Sequence, residues 1–357
     1  MRRDRRTGRD DDFRNSCRCT VASAGEQKRL NRKEGRLMRL ARWLLLAIAM
    51  IAIGGGEVMA QTPAPLPGVN LGATSFLDGA PPAGPGLYLS QYVQYFTSDE
   101  IKGSNGGTLP LPGPQLDVWV SLTQFIYMWE YELPGHCHPA LDVLIPALSA
   151  DFDLAAPGPP GLSADNGGLG DILIGPALQF DPIMGDNGPL FVHRFEAQFI
   201  IPTGEYDRNH ILNAGSNYFS FNPYWAGTVF LTNKTTASFR AHYLWNAENK
   251  DPWIGAGPGV TDTKAGQAFH INFAAEHEVI EKMLRVGING YYLKQTTDAQ
   301  VNGADVSGTR EQVLGIGPGA ILSFSQKQHV FCNLYWETEA ENRAEGFRLN
   351  LRYVQKF

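Results

Sequence analysis

The last eleven residues, Phe347-Arg348-Leu349-Asn350-Leu351-Arg352-Tyr353-Val354-Gln355-Lys356-Phe357, decide the fold. Phe347, Leu349, Leu351, Tyr353 and Phe357 fall on one face of an extended chain, with Arg348, Asn350, Arg352 and Lys356 on the other. Period-two alternation marks a strand between two unlike environments. The same pattern recurs upstream. In 190–201, Phe191, Phe195, Ala197, Phe199 and Ile201 oppose Arg194, Glu196 and Gln198; in 267–279, Phe269, Ile271, Phe273 and Val279 oppose His270, Asn272, Glu276 and Glu278.

Twelve such segments are predicted: 87–96, 116–131, 141–153, 169–180, 190–201, 218–231, 235–246, 267–280, 284–295, 312–325, 329–339 and 347–357. Segment 116–131 carries apolar residues on both faces, so its orientation is open. Connections of 15 to 20 residues alternate with connections of 3 to 9 along nearly the whole chain. A soluble sandwich has no reason to obey that rule. A transmembrane barrel has long loops at one end and tight turns at the other, with both termini at the turn end. The predicted fold is therefore an all-β, antiparallel transmembrane barrel of twelve strands over 87–357. Closure is required because hydrocarbon offers no partner for an open strand edge.

Composition agrees. Charged residues are 18% of the 357, and Gly is frequent at 39. Residues 1–60 hold 14 Lys+Arg against 7 Asp+Glu, leaving 16 against 29 for the rest, too acidic for a nucleic-acid binder. Met38, Arg39 and Arg42, then the apolar run 43–53 and the Val58/Ala60 spacing, read as a secretory signal peptide over 38–60, cleaved after Ala60. Residues 1–37 read as a charged extension or a start codon placed too far upstream. Segment 61–86, with Pro63, Pro65, Pro67, Pro81, Pro82 and Pro85, reads as a periplasmic tail or a short plug, composition favouring a solvated tail. The compartment is the outer membrane of a Gram-negative bacterium. Leu351, Tyr353 and terminal Phe357 fit the signal that the outer-membrane assembly machinery reads. Tyr88, Trp129, Tyr131, Trp245, Trp336 and Phe357 lie toward strand ends, where aromatic girdles meet the lipid interface, though any one of them equally suits the lumen.

An arginine facing lipid at the midplane costs roughly 2–4 kcal/mol, so the polar faces point inward. Arg194, Glu196, Arg240, His242, His270, Asn272, Glu276, Arg348 and Arg352 are the candidate lumen-lining residues. Their mixed signs suit a polar constriction better than a strong ion filter; the plainer alternative is that they only pair with one another. Asp171, between glycines, reads as a structural hydrogen-bonding residue. The glycines at 287, 290, 315, 317 and 319 suit bends and close backbone approach, since no helix follows to make a phosphate cradle.

His136-Cys137-His138 invites a metal reading, but adjacent ligands on one turn do not close a tetrahedral site alone, and no metal or cofactor is expected. With Cys17 and Cys19 upstream of the signal peptide, Cys137 and Cys332 are too few for a disulfide framework. An outer-membrane phospholipase needs a serine activated by a histidine, in such enzymes two residues apart on one strand. No His-x-Ser occurs, so no enzyme is expected.

Several motifs in order resemble the outer-membrane transporters named for the meta pathway of phenol degradation. They are Gly168-Leu169-Gly170-Asp171 leading into Gly175-Pro176, Pro202-Thr203-Gly204-Glu205-Tyr206, Asn222-Pro223 with Trp225, and Val286 to Gln295 with Asp298. Gly315-Ile316-Gly317-Pro318-Gly319 and Glu341-Asn342-Arg343 complete the series. The resemblance covers about 87–357 and implies a β-barrel that passes small aromatic or other hydrophobic compounds. The expected partners are outer-membrane lipid, the assembly machinery and a small hydrophobic solute. The competing expectation is a structural or adhesive barrel with a closed lumen, whose loops 97–115 and 247–266 bind partners. The Pro-rich lead and the pair His136/His138 depart from the family's pattern.

Overall fold

In the computed structural model, residues 63–81, 83–155, 164–186 and 188–357 are described. The charged extension, the signal peptide and its cleavage site lie outside the described residues. Twelve antiparallel barrel strands follow in order. They are β1 (Gly86–Ile101), β2 (Pro114–Met128), β3 (Cys137–Leu154) and β4 (Ala164–Leu169 continued by Ile172–Phe180). β5 is Gly188–Glu196 continued by Phe199–Ile201, β6 is Ser220–Phe221 continued by Tyr224–Phe230, and β7 is Thr235–Asn246. Then come β8 (Ala268–Ile280), β9 (Leu284–Gln295), β10 (Gln312–Ser325), β11 (Gln328–Glu341) and β12 (Ala344–Lys356). Each strand pairs with the next, and β12 pairs back onto β1, with Tyr88 opposite Lys356 and Thr97 opposite Phe347, so the sheet closes.

The predicted strands match these closely, with local differences. β3 starts at Cys137, so His138 belongs to a strand and not to a connection. β11 and β12 extend until only Asn342 and Arg343 join them; that connection is a tight hairpin at the loop end. Asn342 has φ +54°, in the left-handed region such hairpins use. β2 also has a definite orientation: Trp119, Phe125 and Tyr127 are exposed outward, while Gln124 and Met128 are buried inward.

The outward faces are apolar, as a lipid-facing surface requires. Leu351, Tyr353 and Phe357 all face outward, as do Tyr131, Trp245 and Trp336 of the expected girdles. Tyr88 does not. It is 4% exposed, packs with Phe76, Ile321 and Phe331, and donates its hydroxyl to the Gly84 carbonyl. Alternation places it on the inner face of β1, alongside Ser90 and Tyr92, because residues two apart share a face.

Three neighbouring strands break at one level: β4 at Gly170-Asp171, β5 at Ala197-Gln198 and β6 at Asn222-Pro223. Pro146 of β3, which has no N–H for the ladder, sits beside the break and accepts from Gly170 N–H at 2.9 Å. Beyond it, Ala164–Leu169 pairs with β3 alone among the strands, and loop 202–219 covers its other edge. Glu205 N–H donates to the Leu169 carbonyl at 2.8 Å, and Asn166 Nδ2 to the Leu212 carbonyl at 2.6 Å. At the loop end, Glu248–Asn249, Thr263–Lys264, Ala299–Val301 and Ala304–Val306 form a small second sheet from the β7–β8 and β9–β10 loops.

The Pro-rich lead is not a solvated tail. Residues 63–81 run through the lumen from loop end to turn end. Tyr218 of the loop end donates to the Pro65 carbonyl at 2.6 Å, Asn350 at mid-barrel to the carbonyls of Gly72 and Ala73, and Gln179 near the turn end to the Gly79 carbonyl at 3.0 Å. Proline removes donors that a narrow interior could not satisfy, and the small residues of 72–75 let barrel side chains close around the backbone. Gly72 shows why: its φ is +74°, and a Cβ there would lie 2.6 Å from the Tyr335 ring.

Candidate functional site

The lumen is divided between the plug, the polar side chains that hold it, and the space left over. The candidate polar residues all lie on inner faces. Arg194, Glu196, His242, His270, Asn272, Glu276 and Arg352 are buried, and the side chains of Arg240 and Arg348 are 11% and 13% exposed. They form several networks, not one ring.

In the first, Arg240 of β7 grips the plug through a bidentate pair with Asp78: Nε to Oδ2 at 2.9 Å and Nη2 to Oδ1 at 2.6 Å. Its guanidinium also lies 4.1 Å from the centre of the Tyr224 ring. Tyr224 donates to Glu196 Oε2 at 2.6 Å, and the same oxygen accepts from Arg194 Nη2 at 2.6 Å. Arg194 Nη2 is 3.7 Å from Asp142 Oδ2, which accepts from Gln124 Nε2 at 2.7 Å; Gln124 Oε1 in turn accepts from Tyr92 at 2.8 Å. A chain of contacts thus runs across β1, β2, β3, β5, β6 and β7 to the plug. Buried charge is tolerable here because each of these ions has a counter-ion within reach.

A second network holds the middle of the plug. Asn272 Nδ2 donates to Asn70 Oδ1 at 2.8 Å and to Thr74 Oγ1 at 3.1 Å, while Asn272 Oδ1 accepts from Gly72 N–H at 3.1 Å. His242 and His270 stack at 4.1 Å; His270 Nε2 contacts Asn222 Oδ1 at 3.0 Å and His242 Nδ1 the Asn222 carbonyl at 3.4 Å. Both rings are used at the β6 break. Arg348 pairs with Glu337 at 3.4 Å, and Tyr291 donates to the same carboxylate at 2.6 Å. Glu276 accepts from Thr236 and lies 3.8 Å from Arg285. Arg352 is different. Its guanidinium lies 3.7 Å from the centre of the Phe331 ring and has no carboxylate within 4.0 Å among the described residues.

Asp171 is a structural residue. One oxygen accepts from Gly204 N–H at 2.9 Å and the other from Ser216 N–H at 2.8 Å and Ser216 Oγ at 2.5 Å, pinning loop 202–219 over the wall break.

Two cavities flank the plug. The one toward the loop end measures about 320 Å³ and meets Leu66, Val69 and Leu71 of the plug on one side, with Val120, Leu122, Leu144, Pro146, Leu148 and Leu173 on the wall. The one toward the turn end measures about 390 Å³ and is lined by Phe76, Ile126, Met128, Ile321, Phe331 and Val354 among apolar residues. Tyr92, Gln124 and Arg240 line both. The apolar inner face of β2 is thus cavity wall, which explains its two-sided apolarity. Sequence reasoning expected a polar interior and missed this lining; the signal was the apolar residues on both faces of 116–131 and 143–148.

Two further clusters lie at the turn end. Glu132, His136 and Asp181 bring one ligand atom each within 4.8 Å of one another, and His138 Nε2 lies 3.4 Å from Asp181 Oδ1. Glu132, His136 and Asp181 are exposed, and His136 pairs with Glu132 at 2.7 Å. The absence of His-x-Ser along one strand does not exclude a pairing between strands: Ser323 Oγ of β10 lies 2.8 Å from His329 Nδ1 of β11. His329 Nε2 is directed to the Gln326 carbonyl at 3.3 Å, so a backbone group and not a carboxylate orients the ring. This pair secures a tight turn. Cys137 and Cys332 are both free.

A family model whose description names the MetA pathway of phenol degradation matches residues 98–353. Among solved structures, the COG4313 outer membrane channel from Pseudomonas putida F1 superposes with a TM-score of 0.68 at 20% identity, covering 81% of this chain and 100% of that one. The translocator domain of autotransporter NalP from Neisseria meningitidis has a TM-score of 0.42 at 12% identity, covering 77% and 89%. The CymD monoaromatic hydrocarbon channel has 0.35 at 10%, covering 76% and 89%. The last two are too distant to bear on this chain. No curated protein matches. The first gives the fold: a closed twelve-stranded barrel of the outer-membrane channel type.

Proposed function

Because the chain belongs to the outer-membrane family described by the MetA pathway of phenol degradation, we propose that it is a passive channel carrying small hydrophobic or aromatic compounds across that membrane. The loop end faces outward and the turn end faces the periplasm, reached after export on the signal peptide cleaved at Ala60. The observation that carries this reading is the pair of cavities. The outer one lies between the plug and the inner faces of β2 and β3, the inner one beside plug residues 76–81 with lining from all twelve strands. Both have largely apolar walls, and they adjoin at Tyr92, Gln124 and Arg240.

A solute enters the outer cavity between the plug and the inner faces of β2 and β3. Burial of apolar surface there yields roughly 25 cal/mol per Å², so a single aromatic ring gains a few kcal/mol. That is enough to concentrate it without trapping it, which a conducting site requires. It then passes the Tyr92–Gln124–Asp142 hydrogen-bond chain, the narrow element between the cavities. Arg194, Glu196, Arg240, His242, His270, Asn272, Glu276 and Arg348 are already paired with one another, with neutral partners or with the plug. Their role in this reading is to hold the plug and shape the path.

The plug and the small loop-end sheet favour a second reading, a structural or adhesive barrel with a closed lumen. The two separate in vesicles carrying lipopolysaccharide on the outer leaflet, which slows unaided entry of aromatics. Protein-containing vesicles should take up labelled toluene and phenol several times faster than empty ones. Equal rates would support the closed barrel and sink the channel.

A further inference from the structure

We infer that the inner cavity is a recognition site for a small carboxylate with an apolar body, and that Arg352 binds its head. This deepens the channel reading and rests on it for the ligand's route.

The inference starts from a comparison among six arginines. Arg194, Arg240, Arg285, Arg343 and Arg348 each lie within 4.0 Å of a carboxylate. Among the described residues Arg352 does not, although it is 8% exposed and lines the inner cavity. Its Nε has no hydrogen-bond partner among them either. The same holds for Nε of Arg194 and Arg343, but those guanidiniums are neutralised at their terminal nitrogens. A buried cation without an anion is costly, and a guanidinium carries five donors in a fork that fits a carboxylate edge to edge.

The surroundings specify the rest of the ligand. Arg352 lies directly between Tyr92 of β1 and Phe331 of β11 in register, with ring centres 5.8 and 3.7 Å from its guanidinium. One residue pair toward the turn end, Val354 and His329 share the next inward row, and Ile321 lies beside Phe331 on β10. Aromatic faces hold the guanidinium in place, and its Nε keeps an in-plane donor without a partner among the described residues. The free acids of this cavity do not compete: Asp78 is bound by Arg240, Asp142 by Gln124 and Arg194, and Glu278 by Arg285. Within about 390 Å³ there is room for one aromatic or short alkyl body beside Met128 and Phe76. An anion with an apolar tail satisfies both the cation and the walls; an inorganic anion satisfies only the cation.

The test compares benzoate with benzamide, its neutral isostere, on the full-length mature protein in detergent at pH 8, by calorimetry. Wild type should bind benzoate at least about tenfold more tightly. Arg352→Met should reduce benzoate to the benzamide level and leave benzamide unchanged, while Arg352→Lys should keep a smaller preference because an ammonium lacks the fork. The wild-type preference should also fall as pH drops through the ligand's own pKa of about 4. Equal wild-type affinities, or a preference that survives in Arg352→Met, overturns the inference; the wild-type measurement stands even if a variant does not fold. Benzamide uptake into vesicles judges the channel reading separately, because it does not depend on the charge.

Discussion

At the scale of single residues, function in this lumen depends on which polar groups are saturated. Asp171 accepts three hydrogen bonds from loop 202–219. Removing it leaves backbone donors of Gly204 and Ser216 without a partner, at roughly 1–3 kcal/mol for each group that stays buried. Asp171→Ala should therefore leave the barrel assembled but open that loop to proteolysis; unchanged cleavage within 202–219 would contradict the assignment. At the junction of the cavities, Tyr92 donates to Gln124, and Gln124 to Asp142. Gln124→Ala removes both the narrowing side chain and the link. Uptake of toluene should rise severalfold, and a fall would show that this chain of contacts does not restrict the path. Asp171 and the lumen charges were legible in the sequence, because alternation fixes a face and a lipid-facing charge is too costly. Their partners were not legible. Arg240 reaches Asp78 across 162 positions, and Asn350 reaches Gly72 across 278.

At the scale of elements, the strands were legible, and the plug stood only as one of two readings of the Pro-rich lead, the less favoured by composition. Period-two patterning located all twelve strands because each lies between lipid and lumen. The same criterion cannot see residues 63–81, which have no regular hydrogen bonding of their own and whose small residues and prolines resemble a linker. Tyr88, open between interface and lumen in the sequence, is lumenal for a related reason: it packs against Phe76, a plug residue. β2 looked ambiguous because an apolar lumen wall reads like a lipid face. The plug is held by a buried ion pair, and removing one partner of such a pair costs roughly 3–5 kcal/mol. Arg240→Met leaves Asp78 uncompensated, so the plug should loosen at its turn end. Single-channel recordings should then show new, larger openings on a folded barrel. A conductance trace identical to wild type would mean that this pair does not retain the plug.

At the scale of the whole molecule, a closed sheet solves the hydrogen-bonding problem of the membrane, and the interrupted wall of β4, β5 and β6 is sealed by a loop and not left open to lipid. Twelve strands enclose a space wider than the eight-stranded barrels that side chains fill and narrower than the water-filled porins of sixteen strands or more. The plug occupies part of it, and the apolar inner faces of β2 and β3 leave the remainder suited to solutes with an apolar body. The central claim is that solute moves beside a seated plug. Ser75 Oγ lies 3.3 Å from Asn333 Oδ1, so cysteines at these two positions, with Cys137 and Cys332 replaced by alanine, can tether the plug to β11. The decisive measurement is toluene uptake into vesicles carrying this variant, oxidised and reduced. The account predicts the same rate in both states, with the cross-link confirmed by mass spectrometry. Uptake that stops on oxidation and returns with reductant would mean the plug must leave, and would contradict it.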